Sequence, residues 1–177
     1  MRRSIVVYGL IAGAIIATSV QLSLTLDSGT EHLAGLEWLG YAVMIIAFSL
    51  IFVAIKSYRD RQPDGAISFA TGVKLGLGIT LIASVIYVIA WEINLALTDY
   101  AFIDEYTRAY IAAEEAAGVT GAELDTLKAE MALMRERYDS PLFRVPVTLL
   151  EIFPVGLLMS LVSAAVLRDS RVLPAAR

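Results

Sequence analysis

Residues 69–118 read FATGVKLGLGITLIASVIYVIAWEINLALTDYAFIDEYTRAYIAAEEAAG, and this stretch decides the fold. Its first part, residues 69–97, is apolar and long enough to cross a bilayer, for which about 20 residues suffice. Its second part, Asp99 to Ala117, is too charged to remain in lipid. Neither Gly nor Pro occurs between Gly78 and Gly118. We therefore predict one continuous helix that crosses the membrane and projects into the aqueous compartment beyond.

The composition excludes most soluble functions. Hydrophobic residues make up 58% of the 177 residues and charged residues only 18%, which is too apolar for a soluble globular domain. The chain has no cysteine, and this excludes disulfides, thiolate metal sites and cysteine nucleophiles. No basic tract with interleaved aromatic residues is present, so we expect no nucleic-acid partner.

Four apolar runs predict four membrane spans in a single integral membrane domain, residues 1–177. The first run could instead be a cleaved signal peptide, but the apolar region of such a peptide is usually about 7 to 15 residues long. Because the first run is longer and has no convincing cleavage site, we interpret it as a span. The predicted fold is therefore an all-α bundle of four transmembrane helices. The spans cover about residues 4–26, 38–56, 69–97 and 142–167.

The charged segment before the last span, residues 99–140, predicts two amphipathic helices. Apolar residues recur at spacings of three and four on both sides of a turn that contains Gly118 and Gly121. We interpret the segment as an antiparallel helical hairpin formed by extensions of the third and fourth spans. A hairpin lying on the lipid surface is the alternative, although ten acidic against four basic residues disfavour anionic lipid as its partner. The two stripes are Ile103, Tyr106, Tyr110, Ala113 and Ala117, and Leu124, Leu127, Met131, Met134 and Tyr138.

Basic residues predict the orientation of the spans. With four spans, the basic residues that flank them all fall on one side of the membrane, whereas the loops on the other side are acidic. By the positive-inside rule, both termini lie in the cytoplasm and the hairpin lies outside the cytoplasmic (inner) membrane. The basic residues are Arg2, Arg3, Lys56, Arg59, Arg61, Arg168, Arg171 and Arg177.

Small residues at steps of four predict faces on which helices pack, because they allow two helix backbones to approach closely in lipid. These stripes are more numerous than a minimal four-helix bundle requires, which favours association with a further membrane helix. The predicted packing residues are Gly9, Gly13, Gly72, Gly76, Gly156 and Ser160.

Two carboxylates lie inside the predicted spans, Glu92 in the third and Glu151 in the fourth. They lie about 9 Å and about 13 to 15 Å below the same end of the bundle, so antiparallel helices could bring them together. A charge at the bilayer centre costs about 3 kcal/mol, so each needs a partner, a water cavity or a proton. The two carboxylates either bind and release protons or cations, or form hydrogen bonds that fix the packing of neighbouring helices. The candidate polar site consists of Glu92, Glu151, Asn94, Gln21 and Pro154.

The sequence offers little support for metal binding or catalysis. The only histidine, His32, lies in a loop, where a lone histidine is typically a solvated side chain and not a metal ligand. The sequence contains no nucleophile–base pairing, phosphate-binding loop or zinc motif. We therefore expect no catalytic residue, no metal and no cofactor, and we expect that the protein is not an enzyme.

A set of short motifs is distributed along nearly the whole chain. The motifs are Tyr8-Gly9 with Gly13, Gly40-Tyr41, residues 44–49 (MIIAFS), Tyr58-Arg59-Asp60, residues 65–69 (GAISF), Tyr87 with Trp91, residues 140–143 (SPLF), residues 151–156 (EIFPVG) and residues 163–165 (SAA). Together they resemble a bacterial membrane family catalogued as domain of unknown function 4199. The resemblance implies a four-span protein with a long extracytoplasmic segment before the last span, and it implies no activity.

These features favour a non-enzymatic interaction, assembly or accessory protein of the inner membrane that acts through its outer hairpin. Its expected partners are the lipid bilayer and either a second copy of the chain or a larger membrane complex. The alternative is a small proton- or cation-coupled transporter that uses Glu151 and Glu92. Four spans without a visible internal repeat are few for a monomeric carrier, so this alternative requires dimerisation.

Overall fold

The computed structural model describes residues 1–26 and 33–174, with the side chains of residues 23–26 and 33–37 excepted. Regular structure in the described residues is entirely helical. The predictions made for His32 and Arg177 lie outside the described residues. The helices are α1 (Arg2–Leu26), α2 (Leu33–Arg59), α3 (Phe69–Leu97), α4 (Phe102–Ala116), α5 (Ala122–Tyr138) and α6 (Pro141–Leu167).

Four of these helices are long and apolar enough to cross a membrane, and they indicate a membrane protein. Large apolar side chains remain exposed on their outer faces, for example Leu81, Val85 and Ile89 on successive turns of α3. Contact of such an apolar surface with lipid tails is favourable, whereas its exposure to water is unfavourable. The segments that could cross are Arg2–Leu22, Trp38–Arg59, Phe69–Leu97 and Pro141–Leu167.

Close glycine contacts join α1 to α3. A Cβ atom added at Gly9 would lie 2.8 Å from the Cβ atom of Ile82, and one added at Gly13 would lie 2.9 Å from the Cβ atom of Ile86. On the α3 side, a Cβ atom at Gly78 would lie 2.9 Å from the side chain of Ile5. The residue numbers in these pairs differ by a constant 73, so the two helices run parallel.

A second set of small residues joins α3 to α6, and we call it the glycine seam. Gly72 faces Ala164, Gly76 faces Ser160, and Gly156 faces Thr80. A Cβ atom added at Gly72 would lie 2.9 Å from the Cβ atom of Ala164. The residue numbers in each pair add up to 236, so α3 and α6 run antiparallel in one constant register.

α2 completes the bundle, and its last residues bind the end of α6. Arg59 is almost fully buried and donates hydrogen bonds to backbone carbonyl oxygens at and after the end of α6. The carbonyl groups belong to Leu167, Asp169, Val172 and Leu173. The ends of α2 and α6 and the starts of α1 and α3 therefore lie at the same end of the bundle. This basic end carries the exposed residues Arg2, Arg3, Arg61, Lys74, Arg168 and Arg171.

The prediction of one continuous helix over residues 69–118 is wrong. α3 ends at Leu97, and α4 begins at Phe102. Between them the chain turns through Asp99 and Tyr100, whose φ angles are positive, at 50° and 58°. The α4–α5 segment is therefore not a direct extension of the third span.

Local hydrogen bonds end α3 without help from glycine or proline. The Thr98 hydroxyl donates to the carbonyl oxygen of Asn94 at 3.0 Å, and the backbone N–H of Tyr100 donates to the carbonyl oxygen of Leu95 at 2.8 Å. These bonds satisfy carbonyl groups that have no partner inside the helix. Beyond the turn, the Phe102 ring packs edge-on against Trp91 at 4.9 Å, which directs α4 back towards α3.

α4 and α5 pack against each other. Ion pairs join Asp104 to Arg135 and Glu115 to Lys128, the latter at 2.8 Å. The predicted apolar stripe of α5 forms the least exposed face of that helix, with Tyr138 buried. The predicted stripe of α4 is only partly correct, because Ile103 and Tyr106 are covered while Tyr110, Ala113 and Ala117 are exposed. Thr107, Ile111 and Glu114 are less exposed than those three residues.

Candidate functional site

Several polar side chains of α3 and α6 lie in the half of the bundle opposite the basic end. The most strongly bonded pair consists of Glu92 on α3 and Arg144 on α6. The Arg144 Nε and Nη2 atoms donate to the two Glu92 carboxylate oxygens at 2.8 and 2.7 Å. Arg144 is only 2% exposed, whereas the Glu92 side chain is 30% exposed, so this is a bidentate, charge-assisted pair in a partly exposed site.

The remaining faces of the Arg144 guanidinium are also occupied. Its Nη1 atom donates to the carbonyl oxygen of Tyr138 at 2.8 Å. The rings of Tyr100 and Tyr138 lie 5.2 and 5.7 Å from its central carbon, within the range of cation–π attraction. Arg144 thus connects α3, the turn after α3, the end of α5 and the start of α6.

The second carboxylate, Glu151, has a different environment. The Tyr87 hydroxyl on α3 donates to it at 2.9 Å. Glu151 lies ten residues after Pro141, about 15 Å along α6 and close to the middle of that 27-residue helix. Its side chain is exposed, beside Leu150, which is 72% exposed. Glu151 is therefore a carboxylate on the apolar outer surface of the bundle.

Three aromatic side chains lie beside the pairs that Arg144 and Tyr87 form with the two carboxylates. The Trp91 Nε1 atom donates to the Tyr138 hydroxyl at 2.9 Å, and the Phe102 ring packs against both rings. Burial raises the pKa of Tyr138; the hydrogen bond from Trp91 and the charge of Arg144 lower it, and the charges of Glu151 and Glu92 raise it. We name the set the α3–α6 polar cluster: Tyr87, Trp91, Glu92, Tyr138, Arg144 and Glu151.

Comparison with known proteins identifies the family. Residues 7–169 match the sequence model of a family described as "Protein of unknown function (DUF4199)". The chain belongs to this family. The resemblance inferred from the sequence motifs is thereby confirmed. No curated protein and no solved structure matches the chain.

The DUF4199 match includes the whole α3–α6 polar cluster. The family description names no activity, and only the side chains of the cluster indicate what it could do chemically. Each of the two carboxylates has a donor from the facing helix, Arg144 for Glu92 and Tyr87 for Glu151. The negative charges of both carboxylates also raise the pKa of Tyr138.

The other predicted site residues in this DUF4199 chain lie at different places. The Gln21 Nε2 atom donates to the carbonyl oxygen of Ala90 at 3.4 Å and so joins α1 to α3. Asn94 is buried, and its Oδ1 atom has no hydrogen-bond partner among the described residues. Pro154 is exposed on α6, which continues through it to Leu167.

The sequence pattern does not reveal Arg144, Tyr87 or Tyr138 as partners of the carboxylates. A signal for Arg144 was present, because it is the one basic residue within the fourth apolar run and charges inside spans usually pair. In the described part of the chain, no three histidine or acidic side chains come together in a group that could hold a metal ion.

Proposed function

We propose that this chain is a non-enzymatic accessory protein of a bacterial cytoplasmic (inner) membrane, and that it docks onto another membrane protein through α4 and α5. Both termini lie in the cytoplasm. α4 and α5 form an extracytoplasmic antiparallel hairpin. The four apolar helices support the membrane location.

The distribution of charge supports this orientation. Exposed arginine and lysine residues concentrate at the basic end of the bundle, which the positive-inside rule assigns to the cytoplasm. The opposite end leads into residues 99–139, which contain ten acidic and four basic residues, a net charge of −6.

Two kinds of contact support a hairpin of fixed orientation. The ion pairs Asp104–Arg135 and Glu115–Lys128 join the two helices at both ends of their contact. The α3–α6 polar cluster then holds the base of the hairpin through Tyr138. A hairpin held in this way presents its outer face with little further loss of conformational entropy on binding.

The partly exposed face of α4 carries the proposal. The rings of Phe102, Tyr106 and Tyr110 stack along the helix at 6.0 and 6.2 Å, and Tyr110 is 40% exposed. Exposed Ala113 and Ala117 continue the same stripe. Tyrosine is enriched in protein interfaces, because it offers a large amphipathic surface with few rotatable bonds. We call these residues, from Tyr106 to Ala117, the tyrosine face.

The net charge determines which partner the tyrosine face would accept. A second copy would bring another segment of charge −6 and would be repelled at low ionic strength. A membrane protein with a basic extracytoplasmic surface would be attracted. We therefore favour the basic partner over self-association.

Photo-crosslinking in intact membranes tests this proposal. A photoreactive residue is placed at Tyr110, and the matched control carries it at Val85, an exposed position on the apolar surface of α3. We expect Tyr110 to yield a specific adduct with a membrane protein whose extracytoplasmic surface is basic. The adduct should weaken at about 0.5 M salt, because exposed charges are screened there. A homodimer as the only adduct, or the same adduct from Val85, would contradict the proposal.

A second candidate function rests on Glu151. An exposed carboxylate near the middle of a span is costly in lipid, and such residues commonly mark proton or ion pathways. Since Arg144 already neutralises Glu92, this proposal assigns the transported proton or cation to Glu151 and Tyr87 alone. In proteoliposomes, a proton-dependent flux should disappear in Glu151→Gln and persist in the hairpin variant Glu115→Gln. Absence of flux in the unmodified protein would reject this function.

A further inference from the structure

Three exposed basic residues lie at the basic end, where α1 and α3 begin. The constant offset of 73 between contacting residues of these parallel helices places Lys74 at the level of the first residues of the chain. Arg2, Arg3 and Lys74 are all exposed. By this register the three residues lie at one level on neighbouring helices, and we call them the cationic groove.

The helices that carry the cationic groove contribute no acid beside it. Residues 1–26 contain no Asp or Glu, and neither do residues 69–91. Asp64, in the loop before α3, accepts a hydrogen bond from the backbone N–H of Ala66 and takes part in none of the ion pairs among the described residues. The acidic residues that form ion pairs at the basic end, Asp60 and Asp169, pair with other arginine and lysine residues. Among the described residues, Arg2, Arg3 and Lys74 take part in none of the ion pairs.

Lys74 lies inside α3 and not at its terminus, and this position distinguishes the cationic groove from basic residues that only flank a span. Lys74 lies five residues inside α3, about 7.5 Å from its first residue, and its stem can extend its ammonium group towards the interface. The same face of α3 continues with exposed Leu81, two turns further into the apolar region, and then Val85. The groove is thus cationic at its end and apolar along its length.

We propose that the cationic groove binds an anionic phospholipid, with its phosphate between Lys74 and the two arginines and an acyl chain along Leu81 and Val85. A phosphodiester with no compensating ammonium group complements three cations, whereas a zwitterionic headgroup does so less well. The adjacent apolar stripe explains why the ligand is a lipid and not a free phosphate. This proposal does not depend on the function of the hairpin.

Native mass spectrometry of the full chain, released from a mild detergent, tests the proposal. The protein is titrated with phosphatidylglycerol or with phosphatidylcholine of the same acyl chains, and glycerol 3-phosphate serves as the headgroup alone. We expect phosphatidylglycerol adducts to predominate. Lys74→Gln should weaken them by roughly fivefold, the effect of about one lost surface cation. Lys74→Arg should retain them.

The control variant is Arg171→Gln, at the same end of the bundle, which removes an arginine that is 89% exposed and paired with Asp169. It should leave lipid binding unchanged. The double variant Arg2→Gln with Arg3→Gln, at exposed positions, provides an independent test and should also lose the preference. Equal binding of the two lipids would overturn the proposal. So would an equal loss in Arg171→Gln, or displacement of the lipid by equimolar glycerol 3-phosphate.

Discussion

Arg144 on α6 and Glu92 on α3 are joined by two hydrogen bonds, and their residue numbers add up to 236, as do those of the facing pairs in the glycine seam. The ion pair therefore continues the register in which Gly72 faces Ala164 and Gly76 faces Ser160. A single antiparallel contact between α3 and α6 thus runs from the basic end of the bundle towards its opposite end. The glycine seam forms the part nearer the basic end, and the Glu92–Arg144 ion pair forms the part nearer the opposite end.

A first prediction concerns this ion pair. Arg144→Met or Glu92→Met alone should lower the free energy of unfolding by about 3 to 5 kcal/mol, because each leaves a buried or half-buried charge without its partner. The double variant Arg144→Met with Glu92→Met should lose much less than the sum of the single variants, since no uncompensated charge remains. Reversible unfolding in mixed micelles measures both quantities. Additive losses would show that the two side chains act independently.

The partners of the carboxylates illustrate what sequence reasoning could not supply. The apolar runs and the two intramembrane carboxylates could be identified, because both follow from composition along the chain. The pairing of Glu92 with Arg144 spans 52 residues and depends on the rotation of α3 against α6. That rotation is set by the glycine seam, and the small-residue steps of each helix do not reveal which residue faces which.

The break after α3 shows a second limit. The absence of glycine and proline predicted a continuous helix, but Thr98 and Tyr100 end it by bonding to the preceding carbonyl groups. The predicted stripe on α4 is only partly correct for a related reason. The residues of its tyrosine face recur at helical spacing, yet those from Tyr110 onwards remain exposed. Helical spacing shows which residues share one face of a helix, but it does not show whether another helix packs against that face.

A second prediction concerns the glycine seam. Gly76→Ala should lower the free energy of unfolding by about 1 to 3 kcal/mol, because the new Cβ atom would lie 2.7 Å from the Cβ atom of Ser160 and force the helices apart. Gly40→Ala is the matched control, since a Cβ atom there would meet nothing within 4 Å. The same micelle unfolding assay compares the two variants. Equal effects at both glycines would reject close packing as the cause.

A third prediction concerns Arg59. Arg59→Lys should lower the free energy of unfolding by about 2 kcal/mol or more, because lysine cannot reproduce a planar group that donates to several carbonyl groups beyond α6. Hydrogen exchange of residues 168–174 should accelerate at the same time. Arg61→Lys, at an exposed position nearby, should change neither quantity. Slow exchange in Arg59→Lys would show that the C-terminal segment is held by other contacts.

A fourth prediction concerns the pH dependence that Tyr138 confers. Burial raises the pKa of Tyr138 above its ordinary value of 10.0, so the folded protein retains this proton at a pH at which the unfolded chain has lost it. The associated stabilisation is fully present below pH 10 and is lost as the pH rises towards the folded pKa. The free energy of unfolding should therefore fall above pH 10 more steeply in the unmodified protein than in Tyr138→Phe. Parallel profiles would show that the Tyr138 phenol titrates alike in both states, and would contradict its burial against Trp91 and Arg144.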